Sequence, residues 1–120
     1  MKQWSKMWKS SKKPTKQRKY REEAPFHVRG HLLHSHLAKP LQEKTKKRSI
    51  RVRRGDVVKI MRGTFKGKIG KVDRVNVKNE CVYVVGVETL KKDGSKSWYP
   101  LHPSNLLIQE LETDKRRLQQ

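Results

Sequence analysis

Hydrophobic residues alternate with polar residues through the second half of the chain. Val58 and Ile60 flank Lys59, and the same alternation covers residues 50–53. A period of two is typical of half-buried β-strands, because successive side chains of a strand point to opposite faces of the sheet. The pattern predicts short strands, separated by turns at 78–80 and 92–94, over residues 56–62, 68–77, 81–89, 96–101 and 105–110.

Five short strands at this spacing predict a mainly β fold and a small five-stranded barrel. About sixty residues can fold alone, although such a domain is only marginally stable. The predicted core draws on apolar residues of all the strands: Val58, Ile60, Ile69, Val72, Val75, Val82, Val84, Val87, Leu101, Leu106 and Ile108.

The sequence of the N-terminal part predicts two short helices, over residues 14–23 and 41–46. Pro14 and Pro40 each suit the first turn of a helix, where the missing N–H has no partner to lose. The last residues, 113–120, are typical of a helix start or of a frayed terminus. We therefore expect a basic, partly helical N-terminal extension, a barrel and a C-terminal tail, with bounds 1–49, 50–111 and 112–120.

Residues 55–72 form the most distinctive segment, with four of the seven glycines of the chain. The segment predicts two strands joined by a glycine-rich loop, in which Gly63, Gly67 and Gly70 supply positive φ angles. Asp56 fits a turn better than it fits an acid catalyst. The cations of this hairpin are candidate phosphate ligands: Arg62, Lys66, Lys68 and Lys71.

Charge makes a polyanion the expected partner. The chain has 31 basic and 11 acidic residues, a formal net charge of +20, and only 32% hydrophobic residues. Residues 1–21 hold nine basic and no acidic groups, so this segment cannot fold alone and suits nucleic acid. An anionic membrane is a weaker alternative, because no basic helix with a broad apolar face is present. Further candidate RNA contacts lie in the extension and before the hairpin: Lys12, Lys13, Lys16, Gln17, Arg18, Lys19, Arg53 and Arg54.

Two groups of residues leave alternatives open. Trp4, Trp8 and Tyr20 are unusual in a solvating tail, and they could stack on unpaired bases or pack on protein. His102 beside a rigid proline turn suits an RNA contact. Asn105 suits turn chemistry better.

Other chemistries find little support. The single Cys81 excludes a disulfide within the chain and a multi-cysteine zinc site, and it suits a core position. A metal site is disfavoured at the histidines His27, His31, His34 and His36, which lack cysteines or nearby carboxylates. No nucleophile, base and orienting group occur together, so we expect no enzyme. No apolar segment reaches a membrane span and no secretory signal is present, so a reducing intracellular location is expected.

Residues 55–72 resemble the KOW motif, which opens a small SH3-like barrel, in the elements Gly-Asp-Val-Val, Arg-Gly and Lys-Gly-Lys-Ile-Gly-Lys-Val. Nearly the whole chain is similar to the archaeal and eukaryotic type of a large-subunit ribosomal protein family, numbered twenty-four in bacteria and archaea and twenty-six in eukaryotes. The chain departs from that pattern at Ala38, where a serine cap is usual, and in its two N-terminal tryptophans. The supporting segments are 11–19, 24–29, 51–77, 82–89 and 99–108.

The resemblance implies a structural protein of the large ribosomal subunit, in the cytoplasm. It implies direct binding to 23S-type rRNA near its 5′ end, help in initiating subunit assembly, and a position near the polypeptide exit tunnel. The implied partners are large-subunit rRNA, neighbouring ribosomal proteins and exit-tunnel factors. Neither a cofactor, nor a membrane, nor a homo-oligomer is implied.

Two other classes of protein share the KOW or SH3-like architecture. A KOW-type transcription elongation factor would bind RNA polymerase and RNA, but such proteins carry an additional mixed α/β domain, for which residues 1–49 are too short and too basic. A basic SH3-like DNA-compacting protein would not need this long extension or its aromatic residues.

Overall fold

The computed structural model describes residues 4–8 and 11–118. The helices are α1 (Pro14–Glu22), α2 (Phe26–Arg29) and α3 (Lys39–Thr45), with 3-10 turns at Gly30–Leu33, Pro103–Asn105 and Lys115–Leu118. The strands are β1 (His34–Leu37), β2 (Ser49–Arg51), β3 (Val57–Ile60), β4 (Ile69–Asn76), β5 (Cys81–Val84), β6 (Glu88–Leu90), β7 (Lys96–Trp98) and β8 (Leu106–Glu110).

A six-stranded sheet in the order β2-β1-β8-β3-β4-β5 forms the centre of the fold, and β6 and β7 form a separate hairpin. Among the strands of the described residues, β1 and β8 are parallel neighbours and all other neighbours are antiparallel. The predicted mainly β fold is therefore confirmed. Among the described residues the ladder runs as an open sheet from β2 to β5, so the closed five-stranded barrel stays a prediction.

The N-terminal segment takes part in this sheet. Strand β1 lies between β2 and β8, and His36 pairs with both Ser49 and Leu107. The sequence did not predict β1 as a strand. The division into residues 1–49, 50–111 and 112–120 stays a prediction.

The predicted helices are confirmed, and each has proline in its first turn. The predicted strands are confirmed with shorter bounds, except that the single strand over 81–89 is wrong. The chain turns at Gly86, whose φ is +86°, so β5 ends at Val84 and β6 begins at Glu88. Because residues other than glycine rarely adopt this φ, the glycine marks the break.

The core is formed by apolar side chains of the large sheet and of the segments that carry Val87 and Leu101. Nine of the eleven predicted core residues are buried, and Val75 is partly buried against them. Ile69 was wrongly assigned to the core, since its side chain is 58% exposed. It pairs with Lys59, whereas Gly70 pairs with the buried Val58. Among the described residues, the structure adds further buried apolar side chains before the hairpin: Ala24, Leu33, Leu37, Ile50 and Val52.

The glycines of the hairpin serve two different purposes. Gly63 and Gly67 have φ angles of +95° and +88°, which confirms the expected loop geometry. The same expectation is wrong for Gly70, which does not adopt a positive φ. A Cβ there would lie 2.7 Å from Val84 Cγ1 and from the Val85 carbonyl oxygen, so Gly70 is needed for the close approach of β5 to β4.

None of the helices described is both long and apolar enough to span a membrane.

Candidate nucleic-acid interface

The β3–β4 hairpin holds a closed, anchored loop. Gly67 N–H donates to the Ile60 carbonyl at 2.8 Å, and Ile60 N–H donates to the Lys68 carbonyl at 2.9 Å. Phe65 packs against the core from within the loop, 5.0 Å from the Tyr99 ring. The Lys68 ammonium lies 4.8 Å above the Phe65 ring. The backbone of the loop is therefore already ordered, so phosphate binding would cost little additional conformational entropy.

The four predicted cations of this hairpin are all exposed, and none forms an ion pair with the described residues. Unpaired surface cations keep their full charge available for phosphate oxygens. The structure thus leaves Arg62, Lys66, Lys68 and Lys71 free to meet a polyanion.

The turn before the hairpin is built around Asp56, whose side chain is fully buried. Its carboxylate accepts from the backbone N–H of Arg53 and of Glu112, both at 2.9 Å. The Arg117 guanidinium donates to both carboxylate oxygens and also to the Arg51 carbonyl. The expectation that Asp56 is a turn residue is confirmed. Its link to the C-terminal segment was not foreseen.

Four arginines line one cleft of about 450 Å³, together with Val52, Val75 and Val77: Arg51, Arg53, Arg54 and Arg74. Two of them contact neighbouring side chains. Arg53 donates to Asp114 at 2.6 Å, and the Arg74 guanidinium lies 4.6 Å above the Tyr83 ring. Guanidinium groups bind phosphate in a bidentate manner, so this arginine cleft is suited to an RNA backbone.

Sequence reasoning found Arg53 and Arg54 but missed Arg51 and Arg74. Arg51 and Arg53 are two residues apart, so the alternation at residues 50–53 already indicated a shared face. Arg74 lines the cleft because of the way β4 pairs with its neighbouring strands. No local sequence pattern specifies that pairing.

A second cleft, of about 460 Å³, brings Arg54 of the turn beside Lys71 of the hairpin. The acidic Asp73 and Glu112 also line it. The two predicted groups of cations therefore meet in this cleft, in which neither Arg54 nor Lys71 forms an ion pair with the described residues.

Helix α1 and the residues before it present the remaining predicted cations. No residue of α1 is buried, and the candidates at positions 12–19 are exposed. Gln17 Nε2 donates to the Ser11 carbonyl at 3.3 Å, and the Lys19 ammonium lies 3.8 Å from the Glu23 carboxylate. The exposed cations of this segment are Lys12, Lys13, Lys16, Arg18 and Lys19.

Two arginines fix the position of this segment on the body of the protein. Arg21 pairs with Glu80 in the β4–β5 turn. The buried Arg29 donates to the Ala24 carbonyl at 3.1 Å and to the Lys78 carbonyl at 2.7 Å. Helix α1 is thereby attached to the end of the β4–β5 hairpin.

His102 lies at the start of the 3-10 turn Pro103–Asn105. Its Nδ1 accepts from the Ser104 backbone N–H at 3.3 Å and lies 2.7 Å from Ser104 Oγ. The residue is exposed, and these contacts occupy only Nδ1. The turn is thus capped by His102 rather than by Asn105, and an RNA contact through Nε2 stays a prediction.

The histidines of the N-terminal half do not assemble a metal site in the described part of the chain, where no group of three or more potential ligands occurs. His31 and His34 approach to 6.2 Å between ring centroids. The pKa of His34 is lowered from its usual value, first by burial and then by the positive charges of His31 and Arg51. A lowered pKa keeps this imidazole neutral at physiological pH.

The N-terminal aromatic residues pack together. The rings of Trp4 and Trp8 each stack on Tyr20, with centroid distances of 4.9 and 4.8 Å. The structure shows packing on protein, one of the two open alternatives. Both tryptophans remain partly exposed, and stacking on unpaired bases stays a prediction.

Comparison with known proteins gives the same family over most of the chain. Residues 11–120 match the family described as the eukaryotic ribosomal proteins L26 and their archaeal counterparts numbered twenty-four. A protein of Methanosphaera stadtmanae named large ribosomal subunit protein uL24 is 46% identical over 110 residues, covering 92% of this chain and 94% of the relative. A protein of the same name from Methanocorpusculum labreanum is 53% identical over 104 residues, covering 87% and 86%.

Proposed function

Since the chain belongs to the family of eukaryotic L26 ribosomal proteins and their archaeal counterparts numbered twenty-four, we propose that it is a structural protein of the large ribosomal subunit in the cytoplasm. In this role it binds large-subunit rRNA directly and contacts neighbouring ribosomal proteins. Its contribution is to hold RNA in place, and no catalytic step is assigned to it.

One observation carries the RNA-binding part of the proposal: the β3–β4 hairpin has an anchored backbone and four exposed cations that form no ion pair with the described residues. Its position beside the arginine cleft extends this surface through Arg54 and Lys71. A net charge of +20 supports a polyanionic partner. The proposed contacts are the predicted ones: Lys12, Lys13, Lys16, Gln17, Arg18, Lys19, Arg53, Arg54, Arg62, Lys66, Lys68, Lys71 and His102, to which Arg51 and Arg74 are added.

The family resemblance supports three finer points of the proposal. The protein binds near the 5′ end of the 23S-type rRNA, helps to initiate subunit assembly, and lies near the polypeptide exit tunnel, where exit-tunnel factors dock. Early assembly is consistent with a domain whose cations neutralise phosphates that would otherwise repel one another.

We also propose an architecture of extension, SH3-like barrel and tail, with bounds 1–49, 50–111 and 112–120. The bridge between Val82 and Leu101 supports curling of the sheet, because each N–H donates to the other carbonyl, at 2.8 and 3.0 Å. This bridge ties β5 to the segment just before β8. Within this division, β1 is the part of the extension that joins the sheet.

Sucrose-gradient sedimentation of cell lysate at low and high salt tests the proposed function. We expect the protein to sediment with large subunits at low salt and to be released only at high salt. Sedimentation with RNA polymerase or with bulk DNA instead would favour an elongation factor or a DNA-compacting protein and would refute the ribosomal role.

A further inference from the structure

The N-terminal aromatic cluster has a fixed structure that the family does not account for. Trp4 and Trp8 stack on Tyr20 with interplanar angles of 23° and 27°. Trp4 Nε1 donates to the Tyr20 carbonyl at 3.0 Å, and the Tyr20 hydroxyl donates to the Ser5 carbonyl at 2.6 Å. The family match begins at residue 11, so both tryptophans lie outside it.

An open pocket of about 240 Å³ lies beside this cluster. Trp4, Trp8 and Tyr20 contribute aromatic walls, and Lys16 and Lys19 contribute two ammonium groups. The only acidic group of the lining, Glu23, lies 3.8 Å from the Lys19 ammonium. The pocket therefore combines aromatic surface with positive charge.

The two tryptophans differ in what they leave available. The indole N–H of Trp4 is used within the cluster, whereas that of Trp8 makes no hydrogen bond within the described residues. Trp8 is also only partly buried. The indole N–H of Trp8 is therefore available to a hydrogen-bond acceptor on a ligand. Trp4 is thus held in place by its hydrogen bond to Tyr20, whereas Trp8 is available to contact a ligand.

The chemistry of the pocket selects among possible ligands. A quaternary ammonium ligand, which aromatic cages also bind, would meet two lysines. An apolar peptide would gain nothing from the ammonium groups. A nucleotide offers a planar π-surface for an aromatic ring and a phosphate for lysine. The nine basic and zero acidic groups of residues 1–21 further favour the nucleotide.

We propose that Trp8, Trp4 and Tyr20 form a pocket for an unpaired nucleobase of RNA, with the base stacked on Trp8 and a neighbouring phosphate beside Lys16 and Lys19. This inference rests on the proposed function as an RNA-binding protein. It adds a site that reads single-stranded rather than duplex RNA, because a base within a helix has no free π-face.

Tryptophan fluorescence of the full chain tests the site directly. The chain has three tryptophans, so Trp98→Phe leaves only Trp4 and Trp8 as emitters. A single-stranded oligoriboadenylate of about eight nucleotides, within the range of single-strand sites, should quench this emission. An abasic strand of the same length and a duplex RNA should not. Equal quenching by the abasic strand would overturn the proposal.

Affinity measurements separate stacking from charge. With an end-labelled oligoriboadenylate and fluorescence anisotropy, Trp8→Leu should weaken binding by about 5- to 150-fold, the range expected for one stacked base. Trp8→Phe, which preserves a ring on Tyr20, should lose less. The matched control Trp98→Phe should leave affinity unchanged. Equal affinity of Trp8→Leu and the parent chain would refute the pocket.

A parallel titration with a 5′ fragment of large-subunit rRNA distinguishes this inference from the proposed function. If the parent chain binds the rRNA fragment, and the Trp8 variants bind both the fragment and the oligoriboadenylate with the affinity of the parent chain, only the pocket is refuted. If the parent chain fails to bind the fragment, the proposed function itself fails.

Discussion

At the scale of single residues, Asp56 joins three parts of the chain. Its buried carboxylate accepts from the backbone N–H of Arg53, from the backbone N–H of Glu112 just after β8, and from the Arg117 guanidinium. Since Arg117 also donates to the Arg51 carbonyl, this ion pair fixes the backbone that carries the arginine cleft. The sequence indicated the turn through Gly55-Asp56, but it could not indicate a partner 61 residues away.

We predict that Asp56→Asn destabilises the protein by about 3–5 kcal/mol, because it leaves the guanidinium of Arg117 buried without its counter-charge. Asp114→Asn is the matched control, since it breaks the exposed pair with Arg53 and should cost about 1 kcal/mol or less. Urea unfolding measures both free energies. Adding Arg117→Met should recover part of the Asp56→Asn loss. Equal costs for the two Asn variants would contradict the assignment.

His34 gives a second residue-scale prediction. Its folded-state pKa is lowered, first by partial burial and then by the positive charges of His31 and Arg51, so below the unfolded pKa the unfolded chain binds a proton that the folded chain resists. Stability is therefore expected to fall as the pH drops through about 6.5. His34→Gln should flatten this part of the stability profile. A profile measured by urea unfolding between about pH 5 and 8 that is identical in both proteins would refute the prediction.

At the scale of elements, the attachment of α1 depends on a residue in an unfavourable backbone conformation. Glu80 has a φ of +54°, a region in which glycine and asparagine are preferred. Its side chain is only 16% exposed and binds the Arg21 guanidinium through both oxygens. The ion pair explains why glutamate is present here, since glycine would suit the backbone but would remove the contact with Arg21.

We predict opposite outcomes for two glycine substitutions at positive φ. Lys46, with a φ of +55° at the end of α3, has an exposed side chain, so Lys46→Gly should stabilise the protein by up to about 1 kcal/mol. Glu80→Gly relieves the same strain but removes the Arg21 contact. It should speed amide hydrogen exchange across residues 14–22, which Lys46→Gly should leave unchanged. Unaltered exchange in the Glu80→Gly variant would refute the role of this pair.

The elements that sequence reasoning missed are those defined by long-range pairing. β1 has the sequence His-Ser-His-Leu, in which Leu37 is the only strongly apolar residue, and its neighbours β2 and β8 determine that it is a strand. Ile69 was misassigned because strict alternation from Val72 places Gly70, not Ile69, on the inner face. The β3–β4 hairpin was predictable because its alternation and glycines are local.

At the scale of the whole molecule, positive charge is divided between an anchored surface and a segment attached at few points. The hairpin and arginine cleft rest on the core of the sheet. Residues 11–22 contain no fully buried residue, and they are attached to the body through Arg21 and, just after the helix, through Arg29. The composition predicted a polyanionic partner, but only the structure places Arg51 and Arg74 beside Arg53 and Arg54.

The last prediction separates specific contacts from net charge. Three variants each replace four cations by glutamine, so that all three lower the net charge equally. The tail variant changes Lys12, Lys13, Lys16 and Arg18, and the hairpin variant changes Arg62, Lys66, Lys68 and Lys71. The control variant changes four exposed lysines outside the candidate surface, Lys44, Lys78, Lys91 and Lys92. Each lost phosphate contact removes about 0.9 from the slope of log affinity against log salt in duplex-like RNA. We expect the slope for a 5′ large-subunit rRNA fragment to fall by about 3 to 4 in the tail and hairpin variants, and by much less in the control. Because all three variants carry the same net charge, equal slopes would mean that diffuse attraction, rather than these side chains, accounts for binding.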